Sequence, residues 1–243
     1  MIVLSVGMPR AGSGWYYNLT HDLVVAAGFN DARQIRKRYL LHKFLTEVNC
    51  NIGTLSLYRL LPVILPSLLG NTYTIKLHAG PKPTARWMIR KEWIRPTYIY
   101  RDPRDAMLSA FENGQRARAE GRVNAFSPLE TVEDAISFML DYVRIWRKWM
   151  AVSEALHVRY EDLLTSYDQQ TERLLAFLQI SPELDTIQKV RDRYRPGESD
   201  SDDIGMHFHK GGSGRFRKAL NSEQLAMCER AFGPYLDEME YAR

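Results

Sequence analysis

The N-terminal segment constrains the fold of this chain more than any other part of the sequence. Residues 2–6 form a short apolar run rich in β-branched side chains, which is typical of a strand buried on both faces. The turn that follows contains Gly7, Gly12 and Gly14, and apolar side chains recur at helical spacing from Trp15 onward. A helix that begins after such a turn presents N–H groups and a partial positive charge to an anion. The segment therefore predicts a P-loop-like phosphate site, with an ordinary strand-to-helix turn as the alternative.

The loop differs from the P-loop that binds a nucleoside triphosphate. In the pattern G-x-x-x-x-G-K-[ST], the lysine binds the β- and γ-phosphates and the hydroxyl binds Mg²⁺. Here Ser13 and Gly14 follow the second glycine, and Arg10 is the only cation in the loop. The loop is therefore suited to a phosphate but lacks the side chains that handle ATP and magnesium.

Composition narrows the class of protein without identifying it. The 243 residues are 45% hydrophobic and 26% charged, as expected for a globular α/β protein. We expect a cytoplasmic protein with no stable membrane insertion, because no apolar stretch has the length of a membrane helix and no signal peptide is evident. Cys50 and Cys228 give no disulfide framework. The net charge of +4 and pI of about 9.0 indicate an anionic partner or simply a solvated basic surface.

The periodicity along the chain predicts an α/β fold with a central parallel sheet flanked by helices, in one domain spanning residues 1–243. Strands are predicted at residues 2–6, 73–77, 97–100 and 156–160. Helices are predicted after Trp15, at 34–48, 55–69 and 103–113, from Val132, through Leu178, and from about Ser222. Loops are predicted at 114–128, as an acidic excursion at about 195–206, and as a basic lid at about 207–218. Ligands of such sheets bind beyond the carboxyl ends of the strands.

The third predicted strand ends in Arg101, where an NTPase typically has an acidic residue for Mg²⁺. A guanidinium at this position suits a phosphate monoester, which it can bind through two parallel hydrogen bonds. Asp102 is placed to cap the next helix, with Pro103 at its first position, and Ser109 follows two turns later. The alternative is that Arg101 pairs with a carboxylate such as Asp102 or Asp105.

Two further clusters follow the same logic. Lys76 and His78 lie two residues apart at the end of a strand and therefore point to the same face, which suits a base beside a charge stabiliser. Residues 207–218 interleave glycines with Lys210 and other cations, which predicts a flexible loop that closes over an anion. No acidic or cysteine ligand accompanies His209 and its neighbour His207, so no metal site is expected.

Taken in order, these segments resemble the sulfotransferases that use 3′-phosphoadenosine 5′-phosphosulfate (PAPS). The loop of that family reads P-K-S-G-T-T-W, and residues 9–15 here read P-R-A-G-S-G-W. The family's strand-end arginine and the serine eight positions on match Arg101 and Ser109, and its K-x-H motif matches residues 76–78. Its Y-E-D-L segment matches residues 160–163. Its R-K-G-x-x-G motif is similar to H-K-G-G-S-G at 209–214.

The resemblance implies a PAPS-dependent sulfotransferase that needs no metal ion. Its implied donor-binding residues are Arg10, Ala11, Gly12, Ser13, Gly14, Trp15, Arg101, Ser109, Tyr160, His209, Lys210 and Gly211. Trp15 would stack on the adenine near Tyr160. His78 would take the proton from an acceptor hydroxyl, with Arg10 and Lys76 stabilising charge. Lys76 should lower the pKa of His78 and keep it neutral at pH 7.

The departures from the family pattern are specific. Arg10 replaces a lysine, so its contribution is electrostatic and not acidic. Ala11 and Gly14 each remove a hydroxyl that would contact phosphate oxygens, and His209 replaces an arginine. The alternatives are therefore a P-loop small-molecule kinase, a non-enzymatic nucleotide- or nucleic-acid-binding protein, and an inactive donor-binding protein.

The acceptor is expected to be a small molecule or a glycan with a free hydroxyl, bound by segments 36–70, 80–95 and 112–128. Apolar and basic side chains occur in all three segments, which leaves apolar and acidic acceptors open. Nucleic acid is not expected as a partner, and the protein is expected to be a monomer or a homodimer.

Overall fold

The structure is a computed structural model, and it describes residues 1–197 and 212–242. These residues form two compact units, each discontinuous in sequence. The first comprises Met1–Gly7, Gly12–Tyr100 and the described residues from 148 to 197. The second comprises Met8–Ala11, Arg101–Arg147 and residues 212–242.

The first unit contains a parallel four-stranded sheet in the order β2-β1-β3-β4. Its strands are β1 (Ile2–Gly7), β2 (Tyr73–Leu77), β3 (Ile94–Tyr100) and β4 (Leu156–Arg159). Residue Ile2 pairs with Tyr73 on one side and with Ile94 on the other. Because the chain passes from β1 to β2 and then crosses to β3, the strand order reverses at β1, the position where α/β sheets bind ligands.

Helices flank this sheet, which confirms the predicted fold class. They are α1 (Ser13–Ala26), α2 (Ala32–Arg38), α3 (Leu57–Leu68), α4 (Pro83–Arg90), α5 (Pro103–Ala119), α6 (Val132–Met150), α7 (Tyr160–Thr165), α8 (Tyr167–Leu178), α9 (Asp185–Arg193), α10 (Phe216–Ala219) and α11 (Ser222–Leu236). A single 3₁₀ turn lies at Leu41–Lys43.

Strand burial explains the apolar runs read from the sequence. All residues of β1 and β2 are buried, and α1 contributes Leu19 and Leu23 to the core beside Val158 of β4 and Leu174 of α8. At about 25 cal/mol per Å² of apolar surface, each such leucine stabilises the fold by roughly 1.5–3 kcal/mol.

The second unit is mainly helical, and α5 contacts both α10 and α11 within it. Asp102 accepts a hydrogen bond from the N–H of Arg104, and Pro103 is the first residue of α5, so the predicted cap is confirmed. The Asp102 carboxylate also binds the Arg104 guanidinium at 2.7 Å.

Several predicted boundaries are wrong. The helix predicted at 34–48 ends at Arg38, because Leu40 adopts a left-handed conformation (φ 53°) that no α-helix continues through. The loop predicted at 114–128 is helical to Ala119. Gly114 serves there as a packing site, since a Cβ at this position would collide with the Phe126 carbonyl. β3 starts at Ile94 instead of 97, and α4 and α9 were not predicted.

Candidate active site

The loop after β1 has the backbone geometry of an anion-binding turn. Arg10 (φ 63°) and Gly12 (φ 71°) are both left-handed, while Ala11 between them is not. Backbone that alternates in this way turns successive N–H groups toward one side, as in the concave sites that hold phosphates. Helix α1 then starts at Ser13, with no side-chain cap and no acidic residue in its first turn. Its N-terminal N–H groups and dipole therefore favour an external anion.

Two glycines of this segment are required by packing as well as by conformation. A Cβ on Gly7 would lie 2.7 Å from the Cβ of Ser13 and 2.8 Å from Cγ2 of Ile99. A Cβ on Gly12 would lie 2.7 Å from two ring carbons of Tyr160. These approaches fix the start of α1 against the sheet and against α7, which is why the loop has one shape in the absence of ligand.

Trp15 is more deeply buried than an adenine-stacking residue usually is. It is 4% exposed, lies stacked on Tyr167 at 6.2 Å and donates from Nε1 to the carbonyl of Tyr194 at 3.0 Å. Tyr160 meets it edge-on at 6.3 Å. A bound base therefore finds little of this ring without movement of neighbouring side chains, and the stacking role implied by the resemblance stays a prediction.

His78 follows β2, and its ring is oriented by the end of β1. Nδ1 lies 2.6 Å from the Gly7 carbonyl oxygen, a pure acceptor, so Nδ1 carries the proton and donates it. In the neutral ring this leaves the Nε2 lone pair available to accept a proton. The indole of Trp149 donates to the carbonyl of Ala79 and holds the chain beyond His78 in place.

Burial and the positive charge of Lys76 lower the pKa of His78 to about 4, and the hydrogen bond to Gly7 opposes this shift. Lys76 itself is buried within β2. The predicted direction of the shift agrees with the structure. His78 is therefore neutral at pH 7 and retains the proton-accepting form well into acid.

In the second unit, Arg10, Arg101 and Ser109 lie together. Nε of Arg10 donates to Oγ of Ser109 at 3.1 Å. The Arg101 guanidinium donates to the carbonyl of Arg10 at 3.2 Å and to that of Gly212 at 2.7 Å, and it lies 3.7 Å from the Asp105 carboxylate. The alternative in which Arg101 faces Asp105 is thus present in this structure, together with its proximity to the loop.

Further charges surround Arg10. Burial and the neighbouring cations Arg116 and Arg101 lower the pKa of Arg10, while Glu112 raises it. The guanidinium also lies over the ring of Phe126, 5.6 Å from its centroid. A cluster with this excess of buried positive charge is stabilised by a polyanion.

The segment after residue 211 is tied to α5 by carboxylates. Asp105 accepts from the N–H of Gly214 at 2.6 Å and from that of Phe216 at 3.1 Å, and Glu112 binds Arg215 at 2.6 Å. The last part of the predicted lid, from Phe216, is helix and not loop. Sequence reasoning treated Asp105 only as a partner of Arg101, because its bonds to a segment more than 100 residues away have no local signal. Glu112, kept as a substitute base, is engaged by Arg215.

Other predicted residues lie elsewhere. His209, Lys210 and Gly211 fall outside the described residues, as does most of the acidic excursion. Arg195, at the start of that excursion, pairs with Asp168 at 2.8 Å. Within residues 1–197 and 212–242, no three His, Cys, Asp or Glu side chains cluster as metal ligands. Metal independence stays a prediction.

The acceptor segments contain two exposed indoles, Trp87 and Trp93, which meet edge to face at 5.2 Å. Arg86 and Arg118 are less available for an acidic acceptor. The first donates to the Ala151 carbonyl, and the second to those of Ser127 and Leu129. No helix in the described part of the chain is long and apolar enough to cross a bilayer.

The fold and the loop together define an α/β protein with a P-loop-like anion site that lacks the triphosphate and magnesium residues. Residues 2–240 match the model of the sulfotransferase domain family, and the chain belongs to that family. The predicted family and enzyme class, sulfotransferase, are confirmed. A comparison with curated proteins found no match.

Solved structures share this fold. Retinol dehydratase in complex with androsterone and the inactive cofactor PAP matches with a TM-score of 0.60 and 18% identity, over 97% of this chain and 80% of that one. Mouse sulfotransferase SULT7A1 complexed with PAP matches with a TM-score of 0.62 and 15% identity, over 97% and 83% of the two chains. At these identities the likeness concerns the fold alone.

Proposed function

We propose that this sulfotransferase moves a sulfuryl group from PAPS to an acceptor hydroxyl, with His78 as the general base. The observation that carries the proposal is the contact between Nδ1 of His78 and the Gly7 carbonyl, which leaves Nε2 unprotonated at the end of a strand. Family membership and PAP in two structures of the same fold support the choice of donor.

The residues present fit the phosphates of this donor better than its base. The loop ends in an uncapped helix N-terminus, and Arg10, Arg101 and Ser109 supply charge-assisted and neutral donors in the second unit. Arg101 and Ser109 would hold the 3′-phosphate, and Arg10 and the helix N–H groups the 5′ side. When bound, the donor supplies a sulfuryl group joined to phosphate by an S–O bond that breaks during transfer.

His78 and the cations have distinct roles in the transfer. The acceptor oxygen forms a bond to sulfur in line with the breaking bond, and its proton passes to Nε2 of His78. The electron pair of the broken bond remains on the phosphate oxygen, where Arg10 and the loop N–H groups stabilise the new charge. Lys76 keeps the His78 ring neutral beforehand. The acceptor is a hydroxyl compound, either a small molecule or a glycan.

Donor binding is tested by calorimetry with adenosine 3′,5′-bisphosphate in EDTA. We expect tight, metal-free binding and much weaker binding of adenosine 5′-monophosphate. Arg101→Met removes the partner of a desolvated anion and should weaken binding by about 2–4 kcal/mol, roughly 30- to 1,000-fold in Kd. Arg144→Met is the matched control, because Arg144 is exposed and pairs only with Asp141 on its own helix among the described contacts. Equal affinity for the two nucleotides would contradict a 3′-phosphate site.

The base is tested with His78→Gln, which should lower kcat by about 10²–10⁴-fold with nearly unchanged affinity for the bisphosphate. His157→Gln is the control, since His157 is a half-buried histidine that contacts the Trp149 carbonyl. Near-normal turnover by His78→Gln would make His78 structural. Turnover that stops in EDTA would indicate a kinase, and bisphosphate binding without turnover on any hydroxyl acceptor would indicate an inactive donor-binding protein.

A further inference from the structure

Helix α3 buries one apolar face and exposes another. Leu60, Val63 and Ile64 are buried against the first unit. On the opposite side, six large apolar side chains are 49% to 74% exposed among the described residues. They are Leu57, Tyr58, Leu61, Leu65, Leu68 and Leu69, and we call them the leucine face. At roughly 100° per residue all six fall within an arc of about 120°.

The leucine face carries no charge of its own. The only charged residue between 57 and 70 is Arg59, and its guanidinium donates to the carbonyls of Phe44 and Ile52. No acidic residue occurs in that stretch. Single exposed leucines are ordinary on protein surfaces, but a contiguous uncharged face of this size indicates an interaction site.

A cluster of exposed basic residues adjoins this face. Lys37, Arg38, His42 and Lys43 are exposed at the end of α2 and in the following 3₁₀ turn, and we call them the basic cluster. Two contacts join the segment that carries them to α3. The ring of Phe44 meets that of Tyr58 at 5.5 Å, and the Asn71 amide donates to the Tyr39 hydroxyl at 3.1 Å and to the Pro66 carbonyl at 2.8 Å.

Leu40 extends the apolar surface into the basic cluster. It is 74% exposed and left-handed (φ 53°), a conformation that costs a leucine about 1–2 kcal/mol. The result is an exposed apolar side chain placed between pairs of cations. A large apolar face bordered by lysine and arginine is the pattern of helices that lie in the interface of an anionic bilayer.

We propose that the leucine face and the basic cluster form a docking surface for an anionic lipid bilayer. The helix would lie on the membrane without crossing it, with its leucines among the acyl chains and its cations at the headgroups. A second copy of this chain is a poorer occupant, because a symmetric contact would bring two basic clusters together. A protein partner is also disfavoured, since hot spots of protein interfaces are enriched in tryptophan, tyrosine and arginine and not in leucine.

The first test is sedimentation of the whole chain with vesicles. We expect binding to vesicles containing roughly one-third phosphatidylserine to be at least about tenfold tighter than binding to pure phosphatidylcholine, and to weaken with added salt. Lys37→Gln with Arg38→Gln should weaken binding by about ten- to thirtyfold, at about one kcal/mol per cation. Lys148→Gln with Lys189→Gln removes two exposed cations elsewhere and should leave binding unchanged.

The second test concerns the leucines. Leu61→Ser with Leu65→Ser should weaken binding to anionic vesicles by at least about tenfold while thermal unfolding stays unchanged, because both side chains are exposed. Leu184→Ser, at a leucine 45% exposed on another segment, is the matched control. Three results would overturn the proposal: no preference for anionic vesicles, wild-type binding by the leucine variant, or a lipid-free dimer that the leucine variant disperses in analytical ultracentrifugation.

Discussion

Replacement of Gly12 by alanine combines two separable costs at the start of α1. Gly12 has φ 71°, and a Cβ there would lie 2.7 Å from the ring of Tyr160, which is 5% exposed. The left-handed backbone costs an L-residue about 1–2 kcal/mol, offset by a few tenths through the lower entropy of the unfolded chain. The ring cannot yield freely because it is packed in the core, so overpacking adds about 1–3 kcal/mol.

Two other glycines measure these costs one at a time. Gly28 has φ 88° with nothing within 4 Å of its Cβ position, so Gly28→Ala should cost only the conformational term, about 1 kcal/mol. Gly7 is not left-handed but is crowded by Ser13 and Ile99, so Gly7→Ala should cost only the packing term, about 1–3 kcal/mol. Gly12→Ala should then cost about 2–4 kcal/mol, close to the sum of the other two.

Urea unfolding of the three variants gives the free energies directly, provided that the transition remains two-state. A cycle with Tyr160→Ala isolates the ring contact, since the double variant should recover about 1–3 kcal/mol of the loss expected from adding the single changes. Calorimetry should also show weaker binding of adenosine 3′,5′-bisphosphate to Gly12→Ala than to Gly28→Ala. If Gly12→Ala costs no more than Gly28→Ala, the contact with Tyr160 does not constrain the loop.

Three further predictions concern charged groups. Asp105→Ala leaves two backbone N–H groups without an acceptor and should cost about 2–3 kcal/mol in urea unfolding, whereas exposed Asp141→Ala should cost almost nothing. The pKa of His78 is about 4 when folded and about 6.5 when unfolded, so the unfolded state binds more protons between these values. Its contribution is complete above about pH 6.5 and is lost as pH falls toward 4. The wild type should therefore lose about 2 kcal/mol more than His78→Gln between pH 7 and pH 5. Asp31 caps α2 and contacts the buried ring of His21, so Asp31→Ala should lower stability by about 1–3 kcal/mol in thermal unfolding.

Local patterns determined the elements of this protein. β1 and β2 were predicted within a residue of their bounds, because a buried parallel strand needs an uninterrupted apolar run. The cap at Asp102 was predicted for a similar reason, since it depends only on residues that adjoin it. The order of short motifs along the chain likewise indicated the sulfotransferase family, which the family match over residues 2–240 confirms.

Only the tertiary structure decided which partners the site residues have. Arg101 binds carbonyls from two distant segments, Asp105 holds backbone N–H groups of a third, and the His78 tautomer is set by a carbonyl 71 residues away. No local pattern encodes such contacts, because each depends on which loops meet after the strands have paired.

The same holds for burial, which reversed two expectations. Gly114 was read as a helix breaker and instead lets α5 approach the Phe126 carbonyl, and Trp15 was assigned to the ligand but lies in the core. The sequence by itself determined the strands, the loop and the family, because short-range sterics and hydrophobic periodicity fix them. The environment of each reactive side chain, and hence the pKa of His78, was decided by packing between residues that are far apart in the chain.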